Sequence, residues 1–250
     1  MNNEPEIRIE QRTEMLEKAN EELRQRVEKL KFFAASVVHD IRSPVVGIYG
    51  LTKILSARYV NVLDEKGMNY FSCIMETSKS LLSLVDKLNT YIASKETPLE
   101  IESIDICELL GVLRGEFSSR LSAQSINLIE PEERREVRAD RLCLERMFRN
   151  LLDNALKYGG DNLSEIRIEY EELEGYHIFS VSNNGQGMIE KDTDKIFKIF
   201  QRSSASNKIE GAGLGLAIVK EIVERHGGRL TVKEGNMAGV TFYCSISRDL

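Results

Sequence analysis

The chain has 250 residues, 42% hydrophobic and 30% charged, with a net charge of -6. That length accommodates one or two domains, the acidic balance gives no reason to expect nucleic-acid binding, and no run approaches the ~18 apolar residues of a membrane span. Cys73, Cys107, Cys143 and Cys244 form no CxxC pair, and the N-terminus is charged throughout, which argues against a metal cluster, a disulfide framework and a signal peptide and for a reducing, cytoplasmic setting.

Residues from about 6 to 60 read as one helix. Ile9, Leu16, Leu23, Leu30 and Val37 recur every seven residues, and Asn20, Val27, Ala34 and Ile41 form a second row. These are the d and a positions of a heptad repeat, with Asn20 suited to fixing register. The rows continue at Ile48, Leu51 and Leu55. A coiled coil over 1–30 is expected, ahead of a lone amphipathic helix. His39 takes the f position in this frame, away from the seam. It lies in His39-Asp40-Ile41-Arg42-Ser43-Pro44, where the proline removes one helical hydrogen bond and is expected to kink the helix at the His-Asp pair. A titratable ring beside a carboxylate on an outward face is a candidate nucleophile and base.

A turn near Asn61 to Gly67 leads to a second helix ending near Ile92, with Phe71, Ile74, Ser78, Leu81, Val85, Leu88 and Ile92 at heptad spacing. The hairpin over 31–95 has too little core to stand alone. Two copies make a four-helix bundle, so a homodimer is expected. After the polar linker Lys95 to Glu100 the pattern becomes that of a mixed α/β domain over 101–250. Its predicted elements are a strand at 104–106, a helix at 107–123, a strand at 126–130, a solvated charge run at 132–136 and a helix at 141–158 capped by Asp140. Strands at 164–171 and 176–182, a helix at 214–226 and strands at 229–234 and 239–247 complete it. His177 and His226 read as surface or capping residues.

Asn150, Asn154 and Lys157 fall on one face of the helix at 141–158, with Tyr158 closing the row. Asparagine is a poor helix-interior residue, so two on one stripe ending in lysine suggest a metal–phosphate site, with amide oxygens coordinating Mg²⁺ and the lysine offsetting phosphate charge. A solvated polar face is the plain alternative for this helix taken alone. Two glycine clusters follow: Asn183-Asn184-Gly185-Gln186-Gly187 after an apolar strand, and Gly211-Ala212-Gly213-Leu214-Gly215 opening a helix. Glycines admit a ligand close to the backbone, and free helix N-terminal amides favour phosphate. Neither cluster fits a P-loop or a dinucleotide fingerprint. Between them, Phe197 and Phe200 read as core packing or as a latch for a polar lid, Ser203 to Glu210, with Arg202 placed to reach a phosphate.

Together these segments resemble the core of a sensor histidine kinase of two-component systems. His39 to Pro44 resembles the family's H box, Asn150 to Tyr158 its N box, and 183–187, 196–202 and 211–216 its G1, F and G2 boxes, in the family's order. The resemblance implies a dimeric phosphotransfer bundle and an ATP-binding α/β sandwich of the Hsp90, gyrase and MutL type. It implies ATP and Mg²⁺ held by Asn150, Asn154, Lys157, Tyr158, Asn183, Gly185, Gly187, Arg202, Gly211, Gly213 and Gly215. It implies phosphorylation of His39 with Asp40 as base, transfer to an aspartate of a response regulator, and phosphatase activity through Ser43. Asn183 stands where the family usually has aspartate against adenine, so weaker ATP binding is expected, and a pseudokinase scaffold is the alternative. An upstream sensor domain is absent from this chain, and a longer, membrane-tethered native protein stays open.

Overall fold

The computed structural model describes residues 4–59, 61–96, 98–187, 195–197, 213–234 and 239–250. Two compact units divide it, Met1–Ile92 and Ala93–Leu250.

The first unit is a helical hairpin. Helix α1, Glu4–Arg58, runs unbroken through Pro44, so the expected distortion does not end the helix. Arg58 is followed by a turn, and the Asp64 carboxylate then accepts from the Gly67 amide at 2.8 Å, starting α2, Glu65–Glu96. Arg42 pairs with Asp86, and Lys79 sits 5.8 Å from the centre of the Tyr49 ring. These contacts fix an antiparallel pairing. Val38, Val45 and Thr52 of α1 are buried, as are Ser78 and Val85 of α2. On α1 this heptad row lies one position beyond the predicted seam. Of the predicted seam, Ile41, Ile48, Leu51 and Leu55 remain exposed. The chain therefore uses one stripe of α1 internally and leaves the adjoining stripe uncovered. Leu16 and Asn20 are also exposed, and the side chains of Ile9, Leu23, Val27, Leu30 and Ala34 lie outside the described residues.

The second unit is a two-layer α/β sandwich. Its five-stranded sheet has the order β2-β4-β5-β7-β6, with β2 (Asn127–Ile129), β4 (Glu165–Leu173), β5 (Tyr176–Asn183), β6 (Leu230–Glu234) and β7 (Val240–Ser247). Only β2 and β4 run parallel; the other neighbours are antiparallel. Alternation sends Ile166, Ile168, Phe179, Val181, Phe242, Cys244 and Ile246 inward. The helices α3 (Ile106–Ala123), α4 (Arg141–Tyr158) and α5 (Gly215–Arg225) bring their apolar stripes to this core. Phe148 of α4 meets Phe179 of β5 edge to face at 5.3 Å. Burying each such side chain contributes about 1.5–3 kcal/mol.

Ile106 belongs to α3 rather than to a strand, because the Asp105 carboxylate caps the helix by accepting from the amides of Cys107 and Glu108. A strand missing from the sequence reading, β3 at Glu136–Asp140, pairs antiparallel with β1, Ile101–Asp105. Val137 and Ala139 carry its buried face. The two other histidines are buried, not at the surface. The Tyr170 hydroxyl is 2.8 Å from Nδ1 of His177. His226, at the C-terminal cap of α5, donates from Nδ1 to the Ile222 carbonyl at 2.7 Å and accepts on Nε2 from the Asp140 amide at 3.2 Å. It thus pins α5 to the start of α4.

Candidate functional site

His39 projects from α1 with its side chain 82% exposed, consistent with its f position. Its Nδ1 stands 3.5 Å from Oδ1 of Asp40, also exposed. A Nδ1–H directed at that carboxylate leaves Nε2 with a free lone pair facing solvent. Ser43, one turn on, is exposed as well.

In the second unit, the asparagine row of α4 faces the start of α5. The Asn150 amide donates to the Arg146 carbonyl at 2.7 Å, which leaves its oxygen free. A Cβ placed on Gly215 would meet Asn150 Oδ1 at 3.1 Å and Asn154 Oδ1 at 3.6 Å. Two amide oxygens thus converge where α5 begins, and only glycine leaves room beside them. The Asn154 Nδ2 is buried without a hydrogen-bond partner among the described residues. An orphaned donor of this kind costs about 1–3 kcal/mol, so it marks a place where an acceptor belongs.

The α5 terminus supplies further unmatched donors. Its N-cap is Leu214, which makes no side-chain capping bond. Among the described residues no side chain caps the first-turn amides, and free first-turn amides are the arrangement that receives phosphate. Gly213, with φ of +64°, turns the chain into this helix. Two amide oxygens and a helix N-terminus suit a divalent cation beside phosphate. Asn150, Asn154 and Gly215 are thus brought together. Lys157 turns to Asp153, its Nζ 3.9 Å from Oδ2, and Asp153 also accepts from Arg120 at 2.6 Å. Tyr158 closes α4, half-buried.

The loop after β5 packs on the end of α4. A Cβ at Gly185 would collide with the Gly159 carbonyl, which accepts from the Gln186 amide at 2.6 Å. The Asn183 Oδ1 accepts from the Gly185 amide at 3.1 Å and keeps a second lone pair, beside the donor Nδ2. Asn184 was part of the glycine cluster but had no assigned role. It locks the loop to β4, its Oδ1 accepting from the Ser164 and Glu165 amides at 3.0 and 2.9 Å. Gly187 is half-buried. Phe197 is buried in a 3-10 turn, Lys195–Phe197, against α5, as core packing requires. Arg202, Gly211, Phe200 and the segment 203–210 lie outside the described residues.

Two family models match the chain. Residues 29–93 match the His Kinase A (phospho-acceptor) domain, and residues 139–249 match the histidine kinase-, DNA gyrase B- and HSP90-like ATPase. The phytochrome-like protein Cph1 of Synechocystis is 30% identical over 87% of this chain and 29% of its own length. The sensor histidine kinase YvrG of Bacillus subtilis is 27% identical over 82% of the chain and 36% of its own length. The chain thus spans about a third of these relatives. Full-length ShkA, solved in complex with AMPPNP, superposes with a TM-score of 0.67 at 25% identity over 85% of this chain and 45% of that one. Histidine kinase ThkA, solved in complex with response regulator protein TrrA, superposes with a TM-score of 0.62 at 27% identity over 90% and 64%.

Proposed function

The chain belongs to the sensor histidine kinases, and on that premise we propose that it uses Mg²⁺·ATP to phosphorylate its own His39 and passes the phosphoryl group to an aspartate of a response regulator. The observation that carries the nucleotide half is the meeting of Asn150 Oδ1, Asn154 Oδ1 and the uncapped start of α5 at Gly215. Asn154, with Asn150, would hold Mg²⁺, whose charge would offset that of the phosphates. The α5 amides and Lys157 take phosphate oxygens, Lys157 by leaving Asp153. Gly185, Gly187, Gly211, Gly213 and Arg202 belong to the same pocket by their place in the family's boxes.

The observation that carries the acceptor half is the open Nε2 of His39. Nε2 forms the bond to the γ-phosphorus as the bond from that phosphorus to the oxygen of departing ADP breaks. The Nδ1 proton moves to Asp40, which supports the ring as charge develops. Ser43 lies on the same helical face one turn away and would orient water in a phosphatase reaction on the regulator.

Asn183 distinguishes this chain. A carboxylate at 183 accepts from the Gly185 amide and from an adenine amino group together. The asparagine oxygen, already accepting from Gly185, would accept from the base without a carboxylate's charge, a weaker bond. Asn183→Asp is therefore expected to raise ATP affinity by about tenfold, roughly 1.4 kcal/mol, in calorimetric titration. No gain would remove Asn183 from the base pocket.

Incubation with γ-labelled ATP tests the reaction class. An acid-labile, base-stable label on the protein is expected for phosphohistidine. An acid-stable label would mean hydroxyl phosphorylation, and nucleotide binding without label would mean a scaffold that only switches shape with ATP.

A further inference from the structure

The outer edge of the sheet is half open. Strand β2 pairs only with Glu165, Ile166 and Arg167 of β4, and Pro131 follows shortly, where a strand continuing along β4 would need a donor. Beyond Arg167, no strand among the described residues pairs with β4 on that side as far as Leu173. The Asn184 amide donates to the Glu165 carbonyl across to β5, and the Asn127 amide donates to the Ser164 carbonyl across to β2. By antiparallel alternation the main-chain groups of Glu169 and Glu171 turn to β5, and those of Ile168, Tyr170 and Glu172 turn to the uncovered edge.

A groove of about 650 Å³ lies along this edge. Glu130, Glu132, Glu133, Glu169, Glu171 and Glu172 line it, against two arginines, Arg135 and Arg167. Both arginines are already engaged, Arg135 by Glu133 and Arg167 by Glu165 at 2.9 Å. Arg248, 3.3 Å from Glu172, and Arg114, paired with Glu130, engage two of the glutamates. Glu132 and Glu171 form no ion pair with any described residue. Glu130 has a side chain only 7% exposed. Its Oε2 takes Arg114, whereas its Oε1 is buried with no hydrogen-bond partner among the described residues. The groove's end wall is rigid: the Tyr170 hydroxyl donates to Glu172 at 2.7 Å and rests on His177, and burial first, then this bond, raises the tyrosine pKa.

We propose that this groove receives an extended segment of a partner protein carrying lysine or arginine at alternate positions, which adds to the free edge of β4. Its main chain would pair with Ile168, Tyr170 and Glu172. Its cationic side chains would meet Glu132 and Glu171, which form no ion pair with a described residue. An open edge and a negative groove in one place match an extended basic strand in both main-chain and side-chain chemistry. The groove shares no residue with the nucleotide site, so the proposal stands apart from the kinase assignment.

The probe is a fluorescent peptide of alternating lysine and valine, titrated into the full chain and followed by anisotropy. It is expected to bind and to shift the amide resonances of Ile168, Tyr170 and Glu172. The exposed double variant Glu132→Lys/Glu171→Lys is expected to weaken it at least about tenfold, with ATP affinity unchanged. N-methylation at alternate residues of the peptide, which blocks strand pairing, should cost as much. No binding would show an edge merely guarded by charge and overturn the proposal. Equal binding of the N-methylated peptide would reduce the groove to a patch for small cations such as spermine. Equal binding by the double variant would place the peptide elsewhere.

Discussion

Gly215 decides the geometry of the nucleotide site through what it lacks. With Asn150 Oδ1 only 3.1 Å from where its Cβ would stand, Gly215→Ala pushes into the space between the asparagine oxygens and the α5 amides. It is expected to cut ATP affinity by about tenfold or more while the melting temperature of the protein stays near that of the wild type. An unchanged affinity would separate Gly215 from the ligand. A different residue sets the pH response. Burial depresses the pKa of His226, although its bond to Ile222 and the nearby Asp140 charge oppose that. Burial likewise lowers the pKa of His177. Both bind protons more readily when unfolded, so their contribution is complete above about pH 6.5 and is lost as pH falls below it. Each lowers stability by up to about 1.4 kcal/mol per pH unit in that window. Asp140 has a depressed pKa because hydrogen bonds from Glu100 and Cys143 outweigh its burial, and its loss comes only below about pH 4. Denaturant midpoints between pH 7 and pH 5 should therefore fall, and flat midpoints would contradict the buried neutral histidines. At this scale the asparagine row and the loop of the first glycine cluster were legible because local spacing alone puts their residues on one face or in one loop, whereas Gly211 of the second lies outside the described residues. The role of His226 was not, since its partner Asp140 lies 86 positions away and no local pattern signals the contact.

Among the elements, α1 repays the closest reading. Its heptad rows were visible in the sequence, but a row does not say which surface it meets. The structure assigns Val38, Val45 and Thr52 to the intrachain contact with α2 and leaves Ile48 50%, Leu51 63% and Leu55 41% exposed. A stripe that apolar is covered in solution, and a second copy of the hairpin is the expected cover. Ile48→Asp/Leu55→Asp should shift the protein from dimer to monomer in sedimentation analysis, and an unchanged mass would place the dimer contact elsewhere. The strand β3 escaped the sequence reading for a physical reason. Its five residues, Glu136–Asp140, follow a charge run and bury only the small faces of Val137 and Ala139, too short a period-two signal to stand out. Ile106 was misplaced because its apolar neighbours suit a strand, whereas the Asp105 cap starts a helix there.

The whole molecule comprises a helical unit bearing an open imidazole and an α/β unit bearing the asparagine–glycine cradle, and among the described residues no helix is long and apolar enough to cross a membrane. In the proposed autophosphorylation the cradle would supply the phosphoryl group and the imidazole would receive it. Heptads mark the first part of the sequence and alternating strands the second. The measurement that tests it most directly compares wild type with His39→Gln, reading γ-label incorporation and ATP affinity on the same preparations. The account predicts that the variant binds ATP as the wild type does and takes up no label. Label persisting on the variant would contradict the assignment of His39 as the acceptor.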